Sequence, residues 1–97
     1  MKSHHNPDVD ALFDAILSLK NREECYAFFE DVCTVKEMLD ISQRLKAAKM
    51  LASGAVYADI SAETGMSTAT ISRVSKCLEK GSGGYKKVLA RQSKHSD

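Results

Sequence analysis

Apolar positions along this chain recur at intervals of three and four, which is the signature of helices. Val9, Leu12, Phe13, Ile16 and Leu17 form the first such set, opened by Asn6-Pro7. Asparagine can accept from the first free N–H groups of a helix, and proline suits its first turn. Asp8 and Asp10 suit the positive end of the helix dipole. The spacing predicts a helix from here to about Lys20. Asn21 caps the next helix, with Glu24 placed three residues on to bond back to the cap. Its apolar residues, Cys25, Tyr26, Phe28, Phe29 and Val32, wrap more than one face, so this helix needs cover on several sides. Thr34-Val35-Lys36-Glu37 has the spacing of a capping box. It opens a long helix to about Ser53, with Met38, Ile41, Leu45, Ala48 and Leu51 or Ala52 expected inside. Gly54 then supplies a residue free to turn left-handed.

The segment 57–80 is built differently. Ile60 and Thr64 share one side of a short helix, which Gly65 breaks. Ser67 can cap the following helix by accepting from the N–H of Ala69 or Thr70. Ile71, Val74, Ser75 and Leu78 make its inward stripe. Gly81-Ser82-Gly83-Gly84 ends it, and a short last helix follows to about residue 92, with 93–97 as a frayed tail. Strand signals are scarce and there is one proline, so the fold class is all-α. The 97 residues make one domain: helices over 6–33, a long central helix over 34–54, a helix pair over 57–80 and a last helix over 84–92. A chain of this size buries only about two-thirds of its unfolded surface. The apolar excess over residues 9–33 therefore points to a dimer core.

Two short helices joined by a tight turn containing glycine describe a helix-turn-helix. Ser61, four positions before Gly65, is small enough for close helix approach, and Met66 plugs the angle between the helices. Thr68, Ala69, Ser72, Arg73, Lys76 and Lys80 then face outward, with Thr70 near the edge. Small hydroxyl and methyl groups can meet base edges, the Ser67-capped helix start can meet phosphate, and the lysines can follow the backbone. The DNA-contacting set is thus Ser67, Thr68, Ala69, Thr70, Ser72, Arg73, Lys76 and Lys80.

Charge sharpens this reading. The net charge of +1 conceals a −5 over residues 1–43, where four Lys or Arg face nine carboxylates. Residues 44–97 carry ten Lys or Arg against four carboxylates, a net +6. Such asymmetry suits a basic working half on an acidic scaffold. Cys25, Cys33 and Cys77 are odd in number and lack CxxC spacing, so they read as small buried hydrophobes in a reducing compartment. His4 and His5 would be weak metal ligands, and no metal site is expected. No run is apolar enough to span a bilayer, and the start MKSHH lacks the apolar stretch of a signal peptide, so a cytoplasmic location is expected. No catalytic constellation or phosphate loop joined to a strand occurs, so no enzyme is expected. The alternative to DNA binding is a protein-interaction module or adaptor using the same helical surface.

Three phrases carry a wider resemblance. AILSLKNREECYAFFEDVCT, ISQRLKAAKMLASG and TGMSTATISRVSKCL together resemble the Trp repressor superfamily, in its YerC/YecD-like group, from about residue 10 to residue 91. The resemblance implies an intertwined, all-helical homodimer whose two reading heads enter successive major grooves of double-stranded DNA, one helical turn apart. It also implies ligand positions. In the tryptophan-binding members two Arg side chains sandwich the indole, and one of these Arg residues joins a Thr in meeting the carboxylate; the matching residues here are Arg73, Arg44 and Thr34. Two positions depart from that pattern: Val74 stands where those members have Gly, and Cys77 where they have Ser. A branched side chain in a filled pocket costs about 1–3 kcal/mol. No cofactor is therefore expected, with L-tryptophan or another small effector at Thr34, Arg44 and Arg73 as the alternative. Thr34 reads first as a cap, and Arg44 as a partner for a carboxylate or a DNA phosphate.

Overall fold

A computed structural model describes residues 5–95, with side chains to Ser93. His4 and the tail residues beyond 95 lie outside it. The described chain is all-helical: α1 (Pro7–Leu17), α2 (Arg22–Val32), α3 (Val35–Ala52), α4 (Tyr57–Thr64), α5 (Thr68–Lys80) and α6 (Gly84–His95). It divides into two compact units between Met38 and Leu39. No described helix is long and apolar enough to cross a membrane.

The N-terminal unit holds α1 and α2. Asn6 caps α1 by accepting from the Val9 N–H at 2.8 Å. The helix stops at Leu17, short of Lys20, because the Ser18 hydroxyl and N–H both donate to the Ala15 carbonyl and close the last turn. Asn21 caps α2 through the Glu24 N–H at 2.9 Å. The Glu24 carboxylate reaches one residue further back than a capping box would place it, accepting from the Lys20 N–H at 2.9 Å. The Phe28 and Phe29 rings meet edge to face, 5.4 Å apart at 89°. Neither α1 nor α2 contains a buried residue. At the start of α3 the box at Thr34 and Glu37 is complete: each side chain accepts from the other's N–H, at 3.1 and 2.8 Å.

The C-terminal unit owns the core. Ala47 and Ala48 of α3, Ile60 of α4, and Ile71 and Val74 of α5 form one buried cluster, with Met50, Leu51, Ala55, Met66, Tyr85 and Leu89 packed on it. The inner face of α3 differs from expectation. Ile41 is 55% exposed, while Ala47, not expected inside, is fully buried; of the alternatives Leu51 and Ala52, it is Leu51 that packs on the core. The small side chains of Ala47 and Ala48, in succession, turn toward Ile60 and Ile71, with which they share the buried cluster. Gly54, at φ +89°, ends α3 as expected. The Ala55 N–H donates to the Met50 carbonyl and the Gly54 N–H to that of Leu51, the bonding of a Schellman cap. The cysteines are not the buried hydrophobes expected. Cys25 and Cys33 are half-buried and Cys77 is exposed. α6 runs on to His95, past the expected end at 92.

Candidate nucleic-acid interface

The corner between α4 and α5 is held by its own hydrogen bonds. Gly65 sits at φ +76°, ψ 4°, and its N–H donates to the Ser61 carbonyl at 2.8 Å. The Ser61 hydroxyl donates to the Met66 carbonyl at 2.8 Å, so its role exceeds the small size read from the sequence. The Thr64 hydroxyl donates to the Ile60 carbonyl at 2.7 Å and accepts from the Met66 N–H at 3.1 Å. Ser67 then caps α5, accepting from the Thr70 N–H at 3.2 Å, while its hydroxyl pairs with that of Thr70 at 3.0 Å.

Beyond the corner, α5 splits into two faces. Ile71 and Val74 are buried, and Ser75 and Leu78 are half-buried beside them. Thr68, Ala69, Arg73, Lys76 and Lys80 are exposed, as is Ser67. Two expected contacts are less open. Ser72 is half-buried, and so is Thr70, whose hydroxyl is already engaged by the cap. No described residue forms an ion pair with Arg73, Lys76 or Lys80, whereas Lys46 pairs with Glu63 at 3.6 Å.

On one flank of α5 lies a cleft of about 380 Å³, lined by Arg44, Thr70, Arg73, Val74, Cys77 and Tyr85. It brings Arg44 and Arg73 together. Thr34 belongs to the N-terminal unit, where its hydroxyl caps α3. Tyr85 escaped the sequence reading. Its signal was the pair Tyr85 and Leu89, four apart, which gives α6 an apolar side. Burial, then the neighbouring Cys77, push the Tyr85 phenol above its ordinary pKa of 10.0, while Arg44 pulls it down. A second cleft of about 320 Å³ lies against the corner and is lined in part by Gln43, Thr64, Gly65 and Met66. The Gln43 side-chain oxygen is buried and lacks a hydrogen-bond partner among the described residues.

The architecture so far is that of an all-helical protein with a glycine corner and a cation-bearing helix beyond it. The model of the family described as Trp repressor protein matches residues 7–93, and the chain belongs to that family. The family points to a DNA-binding regulator. The protein YerC of Bacillus subtilis (strain 168) is 52% identical over 84 residues, which cover 87% of this chain and 81% of that protein. A crystal structure described as that of a candidate Trp repressor from Staphylococcus aureus superposes with a TM-score of 0.88 at 53% identity, covering 92% of this chain and 89% of the other. A TrpR-like protein from Eubacterium eligens ATCC 27750 matches with a TM-score of 0.89 at 52% identity, over 91% of each chain.

Proposed function

We propose that the protein is a sequence-specific regulator of transcription that binds double-stranded DNA as a homodimer. α4, the glycine corner and α5 act as a helix-turn-helix, with α5 in the major groove. One observation carries this reading: past the corner, Ile71 and Val74 anchor α5 inward while Thr68, Ala69, Arg73, Lys76 and Lys80 stand free on its other side. Ser67 holds the helix start in place. Ser72 and Thr70 contribute from the edge. Phosphate contacts give most of the affinity, and rising salt weakens it steeply.

Residues 6–33 are the dimerisation helices. Supporting this, no residue of α1 or α2 is fully buried in the single chain, while Phe13 is 54% and Leu17 80% exposed. Each large apolar side chain covered by a second copy would contribute about 1.5–3 kcal/mol.

Selection of bound duplexes from a random pool is expected to return a palindromic consensus. Absence of any retained duplex, with salt-insensitive capture by a protein partner instead, would favour the interaction-module reading. The regulator is further proposed to work without L-tryptophan. Val74, 4% exposed, occupies the wall of the cleft that holds Arg44 and Arg73, and Tyr85 already sets an aromatic ring there. Calorimetric titration with L-tryptophan is expected to give no saturable heat at sub-millimolar ligand; saturation there would overturn this part.

A further inference from the structure

α6 carries a charge pattern that the two-helix reading head does not account for. Every other helix contains at least one carboxylate: Asp8 in α1, Glu24 in α2, Glu37 in α3, Asp59 in α4 and Glu79 in α5. α6 contains none over Gly84–His95. Tyr85 and Leu89 hold it to the core, and it packs on α5. Lys87 and Arg91, also four apart, fall on the opposite side, and Lys86 lies between the two faces. All three are exposed, and none makes a side-chain hydrogen bond or ion pair with a described residue.

The placement is also unfavourable for the helix itself. Lys86 and Lys87 stand in or beside the first turn, at the positive end of the helix dipole, where carboxylates are favoured and cations are not. The other first turns differ: α1 and α4 carry acids alone, α2 and α3 set acids beside Arg22 and Lys36, and α5 carries no charge, so among the described helices α6 alone has cations there with no acid. A cation pair that opposes its own helix is stabilised by an external anion, which meets the side chains and the helix end together. The link from Lys80 to Lys86 is short, through Gly81–Gly84, so the cations of α6 continue the series that begins at Lys76 on α5.

We propose that the outer face of α6, through Lys86, Lys87 and Arg91, docks on the phosphate backbone of the same DNA duplex, flanking the stretch that α5 reads. This rests on the DNA-binding reading and extends it from one helix to two. α5 supplies discrimination, and α6 adds sequence-independent affinity and a longer footprint.

The test is the triple variant Lys86→Gln/Lys87→Gln/Arg91→Gln in the full-length protein, bound to the selected duplex and to one of random sequence. Glutamine keeps helix propensity, and removing cations from the first turn should leave the melting temperature unchanged or raised. The slope of log K against log salt is expected to shrink by about 0.9 for each phosphate that α6 no longer neutralises. Affinity should fall by a similar factor on both duplexes, and the hydroxyl-radical footprint should shorten at its outer edges. A triple variant with the wild-type slope and footprint would overturn the α6 proposal while leaving α5 as the reading helix. A wild-type protein that retains no duplex would overturn both.

Discussion

Gly65 and Gly81 are required for different reasons, and the difference is measurable. At Gly65 the backbone lies at φ +76°, and a Cβ would meet nothing within 4 Å. The cost of Gly65→Ala is therefore torsional alone, about 1–2 kcal/mol, and Gly65→Asn should cost less because asparagine tolerates this region. At Gly81 a Cβ would lie 2.4 Å from the Cys77 carbonyl oxygen, so the α5 terminus itself must shift. Urea unfolding should show Asn rescuing position 65 and failing at position 81. Tyr85 makes a separate prediction. Its phenol titrates above 10.0 in the fold, so the folded state holds its proton more tightly than the unfolded chain does. The associated stability is fully present below pH 10 and is lost as pH rises from there through the folded pKa. Tyr85→Phe should flatten that part of the alkaline fall in stability, as followed by urea midpoints across the pH series.

For the helices, the sequence pattern was most informative where a local rule decides. The caps at Asn6, Asn21, Thr34 and Ser67 depend on residues three positions apart, and all four are present. The inward stripe of α5 was legible because only one register buries both Ile71 and Val74. The face of α3 was not. Its alanines share the buried cluster with residues of α4 and α5, a tertiary contact that side-chain size along α3 cannot signal. Tyr85 was missed for a similar reason, since its burial depends on α6 folding back on α5. Within α5 the two kinds of proposed contact separate experimentally. Thr68→Ala or Ser72→Ala should relax sequence preference, by about 1–3 kcal/mol for a well-placed base contact. Lys76→Ala should weaken all duplexes alike. Gel shifts across a panel of operators would distinguish them, and identical profiles for all three variants would count against the assignment.

For the whole molecule, a single chain leaves the buried core confined to residues from α3, α4 and α5, while the N-terminal helices expose Leu12, Phe13, Leu17, Tyr26 and Val32. In the sequence, the apolar excess over residues 9–33 reads as a demand for cover by a second copy, and the exposure of these side chains in the single chain is in keeping with that demand. Phe13→Asp with Leu17→Asp should produce a monomer in sedimentation at micromolar concentration. That monomer should retain the helix pair and lose affinity for a two-fold operator far more than for a half-site. A dimer that survives both substitutions would move the interface elsewhere.

The bonds that close the corner run among Ile60, Ser61, Thr64, Gly65 and Met66, and the cap that follows uses Ser67 and Thr70. Thr68, Ala69, Lys76 and Lys80 hang from that joint without helping to build it. On the proposed reading, address and scaffold are then written in separate residues. Exchanging Thr68 and Ala69 should redirect the protein to other duplex sequences while its melting curve stays where it was, and exchanging Lys76 and Lys80 should change affinity without changing the preferred sequence.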